Sequence, residues 1–168
     1  MKGFKEVNIR EIKKSVQEMI SDDWMLITAG DESGWNTMTA SWGGLGEIWG
    51  KDAAFAFIRP QRYTLGFVEK SGLFTLSFFG GKYKDEMKIC GSKSGRDIDK
   101  SAETGLKPVF IDSTTGIEQA EVIMVCRTMA VQQIDPEGFI DPSVMKWYPE
   151  NDFHKVFIGA IEKVYVKE

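Results

Sequence analysis

The sequence predicts one mainly β domain over residues 1–168, with its strands arranged as an antiparallel barrel. About six or seven strand-like segments follow one another along the chain, and short turns join most of them. Helical patterns are few, and they do not alternate regularly with strands as they would in a doubly wound α/β sheet. The 168 residues suffice for one hydrophobic core, and no repeat, low-complexity tract or linker divides them.

The first element is a predicted helix over residues 8–20. Its apolar side chains recur at helical spacing: Ile9, Ile12, Val16, Met19 and Ile20. Asn8 and Glu11 have the spacing of a capping box, with Asn in place of the usual Ser or Thr. The polar residues 21–23 end the pattern.

Strand patterns dominate from residue 24 onward. Residues 24–30 and 35–44 flank the glycine-containing turn DESG (31–34), and this arrangement predicts a hairpin. Residues 53–59 and 73–80 are short, Phe-rich apolar runs that are typical of buried strands.

Two longer strands are predicted near the C-terminus, at residues 118–134 and 154–167. In the second, the alternation of apolar and polar residues breaks at Ile161 and Glu162. This break indicates a β-bulge beside Gly159, because glycine inside a strand often marks a bulge.

The connections between these strands include two predicted short helices, at residues 64–70 and 82–89. Residues 91–108 are rich in Gly, Ser and charge, and are predicted to be a loop or a loop with a short helix. Residues 135–153 contain three prolines and are predicted to be irregular.

The overall composition excludes several classes of protein. A formal charge of −4 with no long basic run argues against nucleic acid as the main partner. No apolar stretch approaches the roughly 18 residues that a membrane helix needs. The charged N-terminus has no apolar segment of the kind found in secretory signals, so a cytoplasmic protein is expected.

Metal binding and unaided hydrolysis are both disfavoured by the sequence. Cys90 and Cys126 form no CxxC pair, and His154 is the single histidine, so no protein-bound metal is expected. The chain contains no GxGxxG after a strand, no Walker sequence and no GxSxG. A catalytic triad would have to use His154, and neither cysteine lies in a recognisable nucleophile motif.

The segment FIRPQRYT (57–64) follows a predicted buried strand and carries several donors of hydrogen bonds. Arg59 and Arg62 have planar guanidinium groups suited to a phosphate or carboxylate. Tyr63 and Thr64 add hydroxyl groups, and Thr64 is a reasonable N-cap for the helix predicted after it. The segment is therefore either an anion site or a solvated corner with surface arginines, and its residues alone favour neither.

Two further segments are candidates for ligand binding. In NTMTASW (36–42), hydroxyl side chains alternate with apolar ones, which suits a polar planar ligand lying on the strand; by itself the pattern favours a half-buried barrel strand. In CGSKSGRDIDK (90–100), a Gly/Ser-rich loop carries Lys93, Arg96 and Lys100. The alternative for this loop is a mobile surface segment.

Taken together and in this order, these segments resemble the flavin reductase-like family with the FMN-binding split barrel, including its flavoredoxin-type members. The resemblance runs from about residue 20 to the C-terminus. The stretches that carry it are NTMTASW, FIRPQRYT, FTLSFF, CGSKSGRDIDK and the late histidine before Phe-Ile-Gly.

The resemblance implies a six-stranded antiparallel split β-barrel with a few short peripheral helices, which dimerises and holds FMN near the subunit interface. For the isoalloxazine ring and ribityl chain it implies contacts with Met38, Thr39, Ala40, Ser41 and Trp42. For the phosphate it implies contacts with Arg59, Arg62, Tyr63 and Thr64.

Further site residues follow from the same resemblance. Ser77 and Phe78 would border the cofactor from the next strand. The loop that carries Lys93 and Arg96 would close over the site. His154 would lie near the flavin or on its substrate side, where it is the candidate catalytic residue.

The function that the resemblance implies is that of an FMN-dependent oxidoreductase. NAD(P)H would act as a transient reductant, and flavin, ferric iron or another small acceptor would be reduced. The alternatives are a flavoredoxin-like protein that passes electrons between protein partners, and a non-catalytic FMN-binding module. In each case the protein is expected to be a homodimer that binds neither nucleic acid nor membranes.

Overall fold

The computed structural model describes residues 3–168, which form ten strands, three α-helices and several short turns of other helix types. The strands are β1 (Phe4–Val7), β2 (Met25–Asp31), β3 (Gly34–Ala40), β4 (Gly43–Ile48), β5 (Lys51–Ile58), β6 (Leu73–Phe78), β7 (Pro108–Ile111), β8 (Thr114–Ile117), β9 (Val122–Gln133) and β10 (Lys155–Lys167). The helices are α1 (Thr64–Ser71), α2 (Lys84–Ser92) and α3 (Lys100–Thr104).

Eight of the strands form one antiparallel sheet, in the order β3-β2-β6-β9-β10-β5-β4, with β1 paired to β10 beside this path. The strands β7 and β8 form a separate two-stranded ribbon. The prediction of a mainly β, antiparallel fold is confirmed, although the strand count exceeds the six or seven that were predicted. β3 and β4 are the two ends of the sheet order, and the chain passes directly from one to the other.

The strand β4 was missed because its sequence, GGLGEI, contains three glycines, and glycine is depleted in strands. It pairs with β5 from Gly43 opposite Ala56 to Ile48 opposite Lys51. Trp49 and Gly50 join the two strands and both have positive φ, 54° and 69°. This turn geometry matches the right-handed twist of a hairpin, so a tight turn and not a loop follows β4.

The helix predicted over residues 8–20 is wrong. The segment forms a 3-10 turn at Ile9–Glu11, becomes extended at Ile12 (φ −71°, ψ 114°), and then forms a π-helical turn at Glu18–Asp22. Its apolar side chains nevertheless pack against the barrel core. Apolar residues at helical spacing can therefore be buried without a continuous helix. Their packing against the sheet decides the path of the backbone in this segment.

The capping box at Asn8 is confirmed. The backbone amide of Asn8 donates to Glu11 Oε1 at 2.8 Å, and Asn8 Oδ1 accepts from the amide of Arg10 at 3.0 Å. These bonds satisfy amides that the short turn leaves free.

We expect Asn8→Ala to lower the free energy of unfolding by about 1 kcal/mol, because alanine cannot accept from the amide of Arg10. Urea unfolding of the variant measures this loss. Gln17→Ala is the matched control, since Gln17 is an exposed polar residue in the same segment. Equal losses in both variants would contradict a specific capping role.

The strand β10 is irregular at two places, between Ile158 and Gly159 and between Ile161 and Lys163. The bulge predicted beside Gly159 is confirmed, and the second irregularity coincides with the break in alternation at Ile161 and Glu162. At the first, a Cβ on residue 159 would lie 2.7 Å from Cζ of the fully buried Phe74. Only glycine lets β10 approach this ring, so the bulge and the aromatic core residue are matched to each other.

The connections agree with the predictions in type and differ in their boundaries. The helices α1 and α2 lie where short helices were predicted, and α3 lies within the Gly- and Ser-rich segment. Two 3-10 turns, Pro136–Gly138 and Pro142–Trp147, make up much of the irregular excursion before β10. None of the helices formed by residues 3–168 has the length and apolar character needed to cross a membrane.

Candidate functional site

A cavity of about 140 Å³ lies where β3 ends and the chain turns toward β4. It is lined by Met38, Thr39, Ala40, Ser41, Trp42, Phe57, Arg59, Arg62 and His154. The structure thus brings together eight of the fourteen predicted site residues, from three distant parts of the sequence.

The hydroxyl groups of β3 are mostly used inside the protein. Thr37 Oγ1 lies 2.8 Å from Thr28 Oγ1 on β2, and both residues are buried. Thr39 Oγ1 donates to the carbonyl of Met87 on α2. The side chain of Ser41 is exposed, so it is the hydroxyl of this segment that is most open to a ligand.

Arg59 is held rigidly at one wall of the cavity. Its Nη1 donates to Asp152 Oδ2, its Nη2 donates to the carbonyl of Trp147 at 2.8 Å, and its guanidinium lies 5.1 Å from the centre of the Tyr148 ring. Asp152 also accepts from Gln61 Nε2 at 2.6 Å. The charge of Arg59 is therefore largely balanced by a carboxylate.

Arg62 differs from Arg59 because it has no carboxylate partner among residues 3–168. Its Nη1 donates to the carbonyl of Gly91 at the end of α2. Burial lowers the pKa of Arg62, and the positive charge of Arg59 lowers it further. The one carboxylate beside these two arginines, Asp152, is bound to Arg59, so the site has an excess positive charge that an anion would balance.

Tyr63 and Thr64 do not line this cavity, so their contact with a phosphate stays a prediction. Thr64 is fully buried and its Oγ1 accepts from Asn36 Nδ2 at 2.8 Å. The N-cap of α1 is Tyr63, whose side chain makes no capping bond. The ring of Tyr63 packs between Phe67, at 5.1 Å, and the guanidinium of Arg96, at 4.7 Å.

The loop cations Lys93 and Arg96 do not line the first cavity either. Arg96 lines a second, larger cavity of about 590 Å³, together with Tyr63, and its Nη1 donates to the carbonyl of Gln61 at 3.2 Å. Lys93 pairs with Glu103 at 3.4 Å. Neither side chain lines the first cavity, and closure of this loop over the site stays a prediction.

Ser77 and Phe78 are the remaining residues that the structure does not bring to the site. Both are buried within β6, where Ser77 lies opposite Leu26 of β2 and Ile123 of β9. Neither side chain lines the first cavity. Their contact with a cofactor therefore stays a prediction.

Lys100 is a residue whose position the sequence did not reveal. Its side chain is buried, and its Nζ donates to the carbonyls of Thr37 on β3 and Cys90 on α2, both at 2.7 Å. Burial lowers the pKa of Lys100 to about 8. Arg62 and Lys100 thus bind adjacent carbonyls at the C-terminal end of α2, where the helix dipole favours cations.

His154 forms the floor of the first cavity and is only 6% exposed. Its Nδ1 lies 2.8 Å from the hydroxyl of Tyr148, and its ring lies 5.3 Å from the ring of Trp42. Burial lowers the pKa of His154 from 6.5 to about 4, and the charges of Arg59 and Arg62 act in the same direction. The imidazole is therefore neutral at pH 7.

Comparison with known proteins finds a match over the same region that carries the sequence resemblance, from about residue 20 to the C-terminus. The family model described as "Flavin reductase like domain" matches residues 20–168. No curated protein matches the chain.

Solved structures with the same fold include three that are described by their function or domain. The chain is 23% identical to a flavoredoxin of Desulfovibrio vulgaris (Miyazaki F), with a TM-score of 0.68 over 94% of this chain and 78% of that one. It is 16% identical to a putative flavin reductase with a split barrel domain from Shewanella frigidimarina (TM-score 0.68, 96% and 76% covered). It is 24% identical to an FMN-binding protein of Thermus thermophilus (TM-score 0.63, 84% and 68% covered). At these identities the likeness establishes the fold, an antiparallel split barrel.

Proposed function

We propose, since this chain belongs to the family of flavin reductase-like domains, that it binds FMN in the first cavity and acts as an FMN-dependent oxidoreductase. The observation that carries the proposal is the partly buried Arg62, which has no carboxylate partner among residues 3–168, beside the paired Arg59. Together they offer guanidinium donors to a phosphate, and the anion would balance a positive charge that burial makes costly.

The segment 40–42 is the part of the chain best suited to the polar edge of a planar ring. It joins β3 to β4, the two ends of the sheet order, so its outer backbone groups are not used by a neighbouring strand. Ser41 adds a free hydroxyl, and the half-exposed Trp42 adds an aromatic surface. These groups can form hydrogen bonds with the amide and carbonyl groups of a flavin ring and can pack against its face.

The size of the cavity supports a homodimer. A volume of about 140 Å³ is well below the roughly 300 Å³ at which ligand pockets usually begin, so it encloses only part of an FMN molecule. Trp42 and Trp147 lie at its rim, with their ring centres 5.4 Å apart, and Trp147 is 51% exposed. A second copy of the chain that covers these rings would complete the enclosure.

Bound FMN would supply hydride and single-electron chemistry, which no side chain of this site provides. The residues of the chain would hold the phosphate, orient the ring through the backbone of segment 40–42, and place neutral His154 beside it. We propose NAD(P)H as the transient reductant and a small molecule or redox protein as the acceptor. The likeness to a solved flavoredoxin favours a second candidate, a relay that contacts a redox protein.

Titration with FMN and riboflavin, followed by anaerobic mixing with NADH or NADPH, tests the proposal. We expect FMN to bind at least about tenfold more tightly than riboflavin, because only FMN offers a phosphate to the arginines. Fast bleaching of the bound flavin by NAD(P)H supports the oxidoreductase.

The other outcomes are equally informative. Equal affinity for FMN and riboflavin would contradict the phosphate assignment. Binding of FMN without reduction by either nicotinamide would contradict the reductase and favour the relay.

A further inference from the structure

The side chains of Tyr148 and His154 form a buried pair behind the first cavity. Tyr148 is 5% exposed and His154 is 6% exposed. Their only polar contact with each other joins the phenol oxygen to His154 Nδ1, at 2.8 Å. The Tyr148 ring is held from its other sides by Phe139 and Phe153, with ring centres 6.0 and 4.9 Å away, and by the guanidinium of Arg59.

The direction of this hydrogen bond follows from what else the two groups can bind. Within residues 3–168 the phenol of Tyr148 has no other hydrogen-bond partner. If His154 carried its proton on Nδ1, the phenol proton would be buried without an acceptor, which costs about 1–3 kcal/mol. The phenol is also a much stronger acid than a neutral imidazole N–H, so it is the better donor of the two.

Burial and the charges around the pair keep the imidazole from taking a second proton. Arg59 and Arg62 face it from the segment after β5, and Asp152 is the nearby carboxylate. Asp152 acts in the opposite direction on the pKa of His154, but burial and the two arginines outweigh it. A neutral ring whose Nδ1 accepts from Tyr148 must carry its proton on Nε2.

We propose that Tyr148 is a positioning residue that fixes His154 as the neutral tautomer protonated on Nε2, and that this N–H is the hydrogen-bond donor the floor of the cavity presents to its ligand. The ligand atom it selects is an acceptor, a carbonyl oxygen or an unprotonated ring nitrogen, and it disfavours a donor at that point. The tautomer is inferred from residues of this chain alone, whereas the identity of the ligand rests on the proposed function.

The chain is well suited to a direct test because His154 is its single histidine. Nitrogen-15 NMR of protein labelled in histidine therefore gives two ring signals that belong to one residue. At pH 7 we expect Nδ1 to show the chemical shift of an unprotonated nitrogen and Nε2 that of a protonated one. The opposite assignment, or shifts of a charged ring, would overturn the proposal.

Tyr148→Phe removes the phenol and keeps the ring. We expect the two nitrogen shifts to move toward each other, because the ring then samples both tautomers. Tyr165→Phe is the matched control, since Tyr165 is also a buried tyrosine, and its hydroxyl donates to Asp112 at 2.7 Å, in another part of the fold. Unchanged nitrogen shifts in a folded Tyr148→Phe protein would overturn the positioning role.

Addition of FMN to the wild-type protein tests the second half of the proposal. We expect the Nε2 proton signal to move as FMN binds, because the donor gains an acceptor. A protein that binds FMN, as measured by its absorbance, without any change at Nε2 would overturn the donor role. Failure to bind FMN would instead contradict the proposed function, and the tautomer measured without ligand would still stand or fall by itself.

Discussion

Replacement of Arg62 by methionine is expected to weaken FMN binding by about 10- to 150-fold. This range corresponds to the roughly 1.5–3 kcal/mol that a hydrogen bond to a charged group contributes. Methionine keeps the apolar stem, so the variant removes the guanidinium without opening a large gap. The effect is large because Arg62, unlike Arg59, has no carboxylate among the described residues that would compete with the phosphate.

Isothermal titration of the wild type and the variant with FMN and with riboflavin measures this effect. Only the FMN affinity should fall, because riboflavin has no phosphate. Arg127→Met is the matched control, since Arg127 is an exposed arginine paired with Glu162 on β10. Unchanged FMN affinity in Arg62→Met would remove the main support for the phosphate site.

Acidification from pH 6.5 to pH 4 is expected to lower the free energy of unfolding by about 3 kcal/mol through His154 alone. The folded protein holds the pKa of His154 at about 4, below its ordinary value of 6.5. Between these values the unfolded chain binds a proton that the folded protein does not, so stability falls as the pH falls through this range. The difference in pKa corresponds to about 3 kcal/mol.

Urea unfolding at several pH values, for the wild type and for His154→Gln, isolates this contribution. Carboxylates titrate in the same range, but they do so in both proteins. The difference between the two stability profiles should therefore change with pH between 6.5 and 4, and be constant above about pH 7.5. Parallel profiles over the whole range would show that His154 accepts a proton in the folded state as easily as in the unfolded chain.

The strands that could be predicted from sequence are those in which local pattern and burial agree. A glycine-containing turn joins β2 to β3, β3 alternates hydroxyl and apolar side chains, and β10 is long enough to show both its alternation and the interruption of it. The glycine-rich β4 has no such pattern. Its backbone is extended because it pairs with β5, which its own sequence does not reveal. The helix predicted at residues 8–20 failed because an apolar stripe reports burial and not the local geometry.

The candidate site could be predicted only in part, for a related reason. Residues 38–42, the two arginines and His154 meet as expected. Neighbours in sequence such as Thr64 face the protein interior, because the turn into α1 rotates successive side chains to different sides. The buried position of Lys100 had no sequence signal, since a lysine in a Gly- and Ser-rich loop is usually solvated.

The two cations at the end of α2 have a consequence for how the site meets its ligand. Lys100 ties β3 to α2, and Arg62 ties the segment after β5 to the same helix end. Separating any of these elements would leave a buried ammonium or guanidinium without acceptors, so they open together as one cooperative unit. The conformational entropy of β3, α2 and the segment after β5 is lost when the chain folds and not when the ligand binds. The ligand therefore binds to a preorganised surface.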